Sequence, residues 1–352
     1  MQLLGWTATR RAEAKNHASL REEGERSMTT SRSIRAPLWA ILLTALVAAM
    51  VSYYFVFAQS GEAAPAADGS PSPKIVGGKP VPDGKYPFMA ALIDATKPEK
   101  AYQFCGGSLI DKTHVLTGGH CVSTAQGTGP PTPSITPRHM WVIVGRTVLS
   151  RNQGQLRNVK DIDAHPAYTG APLPEYAGPP INQSHDVAVI TLNRPISGIK
   201  PIELATSSQN NVLERPGRDA TVAGWGNTIP RPACGRGPQP KYANRMREAQ
   251  VPIISDSRAN KAYEEPICRQ QPPLQGPADP FVPPFMIAAG GTKVDTCQAD
   301  SGGPLFVRTS GKFTQIGITS FGFGCAANVP GAYTEVNAKP IASFIERTTA
   351  SK

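Results

Sequence analysis

Apolar residues are distributed very differently along successive parts of this chain. Residues 1–37 are polar, rich in Arg and Glu, and without sustained apolar periodicity, which predicts disorder. From Leu38 to Ala58 the stretch LWAILLTALVAAMVSYYFVFA is almost uninterrupted and long enough to cross a bilayer as a helix. Residues 59–74, QSGEAAPAADGSPSPK, are dominated by Ala, Pro, Ser and Gly; they cannot bury a core and read as a linker or propeptide. From Ile75 onward, short β-branched segments such as WVIVG (Trp141–Gly145), DVAVITL (Asp186–Leu192) and QIGITSF (Gln315–Phe321) are separated by Gly/Pro-rich turns. Short segments between such turns predict an all-β sandwich or barrel rather than an α/β sheet. Near the end, KPIASFIERTT (Lys339–Thr349) has apolar residues at helical spacing and Pro340 in a first-turn position, which predicts a closing helix.

The apolar stretch admits two readings. Arg32 and Arg35 immediately before it orient that end toward the cytoplasm. Retained, residues 38–58 form a signal anchor with the body outside the membrane; removed, they form a signal peptide, with Val56 and Ala58 meeting the small-residue cleavage rule. Met28 offers a second start, from which the basic region has ordinary signal-peptide length. Both readings export the body, so it is expected to be secreted or membrane-anchored on the outer side. Six cysteines accord with an oxidising compartment and allow fifteen pairings.

The net charge of +10 is spread through the chain. No Lys/Arg cluster with interleaved aromatics accompanies it, which argues against a nucleic-acid partner. The body is long enough for two fused barrels of about a hundred residues each.

Candidate chemistry centres on DTCQADSGGPLF (Asp295–Phe306), which contains Ser301. A serine hydroxyl is a poor nucleophile at neutral pH and needs a base, a group to orient that base, and donors for the developing oxyanion. Upstream stand LTGGHC, with His120 beside Cys121, and SHDVAVITL, with Asp186 opening an apolar run. The chain order is thus His, Asp, Ser. Together with KIVGG (Lys74–Gly78), FCGGSLI (Phe104–Ile110), AGWG (Ala223–Gly226), TSFGFGC (Thr319–Cys325) and PGAYTEV (Pro330–Val336), these motifs resemble the trypsin-like, chymotrypsin-fold serine endopeptidases, of secreted bacterial type or membrane-anchored. The resemblance runs from Ile75 to about the C-terminus. It implies two packed antiparallel six-stranded β-barrels, over about 75–200 and 201–338, followed by a short helix at 339–349.

The resemblance also implies roles. His120 takes the proton of Ser301, Asp186 fixes the imidazole tautomer, and Thr117 and Ser320 donate to the Asp186 carboxylate. Backbone N–H groups of Ser301 and Ala299 form the oxyanion hole. The family ordinarily has glycine at position 299, and alanine there either accommodates a left-handed conformation or turns the peptide and loses a donor. Gly118 and Gly119 stand where the family more often has alanines, which would loosen the support behind the imidazole. Asp295 is the base of the specificity pocket, with Ser320, Gly322 and Gly331 along its walls, so Arg or Lys is expected at the cleaved position. Cleavage at Lys74-Ile75 would free an ammonium on Ile75 that pairs with Asp300. Cys105 is expected to bridge Cys121, and Cys297 to bridge Cys325. A third family bridge is absent, because Ala259 and Ala288 occupy its positions, and Cys234 and Cys268 remain as a mutual pair or as free thiols.

Three proline-rich segments, Thr169–His185, Ile229–Arg245 and Glu264–Pro284, are longer than usual for the family and are expected either to narrow access to the cleft or to select extended-site residues. The segment RTVLSRNQGQLRN after Gly145 has no Asp or Glu for a carboxylate calcium site, and no metal or cofactor is expected. The expected partners are polypeptide substrates and protein protease inhibitors, with a membrane only if the apolar segment is retained. A weakly active member that binds peptides through the same cleft is the alternative, motivated by Ala299 and the long loops.

Overall fold

The computed structural model describes residues 75–97, 103–124, 132–168, 184–264, 281–283 and 285–351. The expectations for the apolar stretch and for the linker before Ile75 fall outside these residues. Among the described residues no helix is long and apolar enough to cross a membrane.

The first barrel contains β1 (Met89–Asp94), β2 (Gln103–Leu109), β3 (His114–Thr117), β4 (Met140–Val144), β5 (Gln155–Ala164) and β6 (Ala188–Leu192), all paired antiparallel and closed in the order β1-β2-β3-β6-β5-β4. The second contains β7 (Asp219–Gly224), β8 (Arg247–Ile254), β9 (Met286–Ala289), β10 (Pro304–Thr309), β11 (Lys312–Phe321) and β12 (Gly331–Glu335). A pairing of Ile253 with Ala289 closes this sheet as well, in the order β7-β8-β9-β12-β11-β10. The two orders are the same with the numbers advanced by six, so the barrels repeat one topology although the sequence shows no internal repeat.

The β-branched runs become strands because both faces find cover. β6, AVITL, is buried throughout, with one side in the barrel and the other against its surroundings. Asp186 stands just ahead of β6, in the connection that reaches the cleft, rather than inside the strand. β11 starts earlier than the hydrophobic pattern suggested. Ser310 and Gly311 both take positive φ, which makes the tight turn that folds β11 back on β10.

Between the barrels, Tyr86 and Phe88 meet Phe306 and Phe313 in edge-on and tilted contacts at 5.0–5.6 Å. Such pairs add about 0.5–1.5 kcal/mol each beyond area burial. The Ser108 hydroxyl donates to Gln315 Oε1 at 2.6 Å across the same junction, satisfying two buried polar groups together. Among the described residues three α-helices accompany the barrels, one of them the single turn Asn210–Leu213. α1 (Asp256–Glu264) lies in the second half, and α2 (Lys339–Ala350) buries Ile341, Phe344 and Ile345, running one residue past the predicted end.

Candidate active site

A cavity of about 500 Å³ opens between the barrels and is lined by His120, Tyr168 and Asp186 from the first and by Asp295, Ala299 and Ser301 from the second. His120 sits in a short 3-10 turn, Gly119–Cys121, that leaves the end of β3. The expected Cys105–Cys121 disulfide ties this turn to β2. Because Thr117 at the end of β3 pairs with Ala188 at the start of β6, the strand register delivers Asp186 beside His120.

Asp186 Oδ2 lies 2.7 Å from His120 Nδ1, and Oδ1 accepts the His120 backbone N–H at 2.8 Å. The Ser320 hydroxyl donates to the same Oδ2 at 2.5 Å. Burial pushes the Asp186 carboxyl up, but the His120 charge and these hydrogen bonds outweigh it and hold the group below the usual carboxylate range. Burial pushes His120 down, and the adjacent Asp186 charge more than offsets it, leaving the imidazole above its ordinary value. With its proton held on Nδ1 by Asp186, the neutral imidazole presents Nε2 as the basic nitrogen. Nε2 is 3.6 Å from Cys121 Sγ. The Ser301 hydroxyl lines the same cavity without a direct hydrogen bond to His120, a loose geometry common before substrate tightens the site.

Two expectations need correction here. Thr117 does not reach Asp186; its hydroxyl donates to the Gly106 carbonyl at 2.8 Å, bracing β3 on β2, while the Asp186 oxygens are already supplied by His120 and Ser320. Nor do Gly118 and Gly119 leave slack behind the imidazole. A Cβ at 118 would lie 2.9 Å from the His120 ring, and one at 119 would lie 3.1 Å from the Tyr168 ring and 3.2 Å from Asp186 Oδ1. Gly118 makes room for the His120 ring and Gly119 for Tyr168, a contributor that no sequence motif marks.

The second bridge, Cys297–Cys325, is formed as expected and joins the Ser301 loop to the wall of the cavity. Cys234 is disulfide-bonded and therefore not a free thiol, while its expected partner Cys268 lies outside the described residues. Ala259 and Ala288, which replace the missing family bridge, are both fully buried in one apolar cluster with Tyr263 and Phe281. Among the described residues the only cluster of side chains close enough to hold a metal is Cys105, His120 and Cys121, and its two sulfurs are spent on the disulfide. The segment after Gly145 wraps a guanidinium instead: Arg146 donates to the carbonyls of Gln153 and Leu149.

Ala299 takes a φ of 71°, the left-handed conformation, which costs a residue with a side chain about 1–2 kcal/mol. The surrounding carbonyls are all held. Gln298 O accepts from Asn227 N at 2.8 Å, Asp300 O from Gly303 N at 3.0 Å, and Ser301 O from Gly106 N at 2.7 Å. Gln103 Nε2 donates to Ala299 O at 2.6 Å. In a trans peptide the N–H points opposite to the C=O. The N–H groups of Ala299 and Ser301 are therefore turned away from Asn227 N and Gly303 N, and both residues line the cavity. Gln103 and Asn227 were not identifiable from the sequence.

Asp300 is 2% exposed, accepts from Gly226 N at 2.8 Å and Cys297 N at 3.1 Å, and is pushed by burial to about 7. No side chain among the described residues forms an ion pair with it. Ile75 and Val76 are 1% and 3% exposed and so seated in the interior, with Val76 O accepting from Asp295 N.

Asp295, which also lines the cavity, is 4% exposed. Its Oδ2 accepts from Ala326 N at 2.9 Å, but its Oδ1 is buried without a partner. Burial pushes this carboxyl to about 7. Gly331 lies over Oδ1, where a Cβ would come to 3.4 Å, and Gly322 faces open space with its nearest neighbour at 3.7 Å. Ser320 lines the cavity, but its hydroxyl is committed to Asp186.

A family model described as trypsin matches residues 75–345. A protein named "Trypsin" from Saccharopolyspora erythraea is 34% identical over 267 residues, covering 75% of this chain and 94% of that relative. A "Trypsin-like protease" from Streptomyces glaucescens is 32% identical over 324 residues, covering 90% and 98%. With two closed barrels, a cavity between them and a match that spans both, the chain belongs to the trypsin family of serine endopeptidases.

Proposed function

We propose that this protein is an exported endopeptidase that cleaves after Arg or Lys through a Ser301, His120, Asp186 mechanism, and that it is made as a zymogen activated at Lys74-Ile75. The observation that carries the specificity is the buried, unpartnered Oδ1 of Asp295 in the lining of the cavity. A buried carboxylate without a partner is costly, and a guanidinium or ammonium supplies both charge and donors. Gly322 and Gly331 leave the length such a side chain needs.

In the chemical step His120 Nε2 accepts the Ser301 proton as Oγ bonds to the scissile carbonyl carbon. The imidazolium is stabilised by Asp186, and the carbonyl oxygen takes its negative charge between the N–H groups of Ala299 and Ser301. His120 then protonates the departing amine, and water, activated by the same base, hydrolyses the acyl-enzyme.

For activation, the Ile75 nitrogen in the continuous chain is an uncharged amide, and cleavage turns it into an ammonium. The buried Asp300 has only backbone donors, so a new cation nearby would complete its environment. Export by the apolar segment, whether as signal peptide or anchor, and recognition by protein inhibitors belong to the same reading. The long loops and the left-handed alanine favour a second reading, a weakly active peptide-binding member; the held carbonyls around Ala299 count against it.

A fluorogenic Arg substrate, assayed with and without a serine-directed phosphonate, tests the function. Turnover that the phosphonate abolishes, with label on Ser301, is expected. Binding of Arg peptides without turnover or label would favour the second reading.

A further inference from the structure

We propose that Gln103 is a positioning residue for the oxyanion hole, holding Ala299 in a backbone conformation that its own side chain disfavours. This rests on the reading of Ala299 and Ser301 as oxyanion donors. A half-turn of the peptide between Gln298 and Ala299 would carry the φ of Ala299 from 71° to a negative value. Glycine has little preference between the two states. Alanine prefers the second, and there the N–H faces away from the cavity. An alanine at this position therefore biases the loop toward losing a donor.

Two hydrogen bonds oppose loss of the left-handed state. Asn227 N holds Gln298 O on the peptide itself, as part of the second barrel's own backbone. Gln103 Nε2 holds Ala299 O on the next peptide, and it reaches there from β2 of the first barrel, 196 residues away in sequence. A half-turn confined to one peptide leaves the next in place, but a wider rearrangement out of the left-handed region, through ψ as well as φ, moves the Ala299 carbonyl, which is the atom that Gln103 holds. The same strand donates Gly106 N to Ser301 O. β2 thus fixes the carbonyls of both residues read as oxyanion donors, one through backbone and one through a side chain. Only the side-chain contact can be removed by substitution, and it is the one that acts on the strained residue.

The test uses the protein cleaved before Ile75 and compares it with Gln103→Leu, Ala299→Gly and the double variant. Gln103→Leu is expected to lower kcat on an Arg anilide about five- to thirtyfold, the range that matches the left-handed penalty, with KM within about twofold. Affinity for an arginine aldehyde, whose adduct carries the oxyanion, should fall by a similar factor, while benzamidine, which fills only the Asp295 pocket, should bind unchanged. In the Ala299→Gly background the loss should shrink to less than about threefold, because glycine does not need the anchor. Gln103→Met keeps the length without the donor amide or a charge and should give the same pattern, and it stands in if the leucine variant does not fold.

Equal losses in both backgrounds, or equal weakening of benzamidine and aldehyde, would show a general structural role and overturn the proposal. So would a Gln103→Leu enzyme as fast as its parent. Absence of phosphonate labelling and turnover in the parent would instead remove the underlying catalytic reading, and the inference with it.

Discussion

Gly226 donates its backbone N–H to Asp300 Oδ1 at 2.8 Å and lies so close that a Cβ on it would stand 2.5 Å from Oδ2. The AGWG motif is therefore the floor on which the carboxylate beside Ser301 rests. In the uncleaved chain burial raises Asp300 to about 7, against an ordinary carboxyl value near 3.8. The folded state then holds the proton more tightly than the unfolded one, so this group's stabilisation is present below about pH 4 and is lost as pH rises through about 7. An ammonium on Ile75 would pair with the ionised form and reverse that loss.

The cleaved protein should accordingly begin IVGG, and its Tm should exceed that of the uncleaved form by a margin that widens from pH 5 to pH 8. N-terminal sequencing and paired thermal melts check this. A margin that shrinks with pH, or full activity in a chain still carrying residues before Ile75, would refute the activation reading.

Asp295, raised to about 7 by burial, must be ionised to hold a cation. Benzamidine affinity should rise with pH up to about 7 and then level, with protons released on binding below that point. Calorimetry in buffers of different ionisation enthalpy measures the release. Asp295→Ser should cut kcat/KM for Arg and Lys substrates by about 10² or more, while Ser301 stays reactive to small acylating reagents. An unchanged preference for Arg in that variant would place the specificity elsewhere.

The acid limb of kcat/KM reports the free-enzyme base, and Asp186 holds His120 above the ordinary histidine value. Activity should therefore fall away at a pH above that of an unperturbed imidazole. Ser320→Ala removes a donor that stabilises the Asp186 charge, so the carboxylate should bind the imidazolium proton more tightly and move the limb to higher pH. A pH profile of the variant decides it, and a limb displaced to lower pH would contradict the assignment.

Gly119→Ala introduces a methyl at 3.1 Å from the Tyr168 ring. Overpacking of this kind costs about 1–3 kcal/mol, visible as a lower urea midpoint. Tyr168→Leu in the same chain should recover part of that loss. If the single glycine substitution were neutral, the space behind His120 would be more yielding than its geometry indicates.

Much of the chemistry is legible in short strings of residues. His120, Asp186, Ser301 and Asp295 stand in motifs such as LTGGHC and CQADSGGP, where backbone-specific residues mark a local conformation and so locate a side chain without any knowledge of its partners. The all-β reading and the closing helix follow from the period of the hydrophobic residues. The same reasoning misassigns Thr117, because whether a hydroxyl on β3 turns to Asp186 or to Gly106 depends on the β2–β3 pairing.

The candidate reacting groups, their order and the class of fold are thus carried by the chain itself, since they are written in residue type and short-range spacing. Folding in three dimensions settles the repeated strand order of the barrels, the seat of Tyr168 against Gly119, the unpartnered oxygen of Asp295, and the left-handed state of Ala299, whose carbonyl Gln103 holds. Each depends on which distant atoms share a buried space, and burial, with the partners it supplies or withholds, sets the conformation a backbone can keep and the charge a carboxylate can carry.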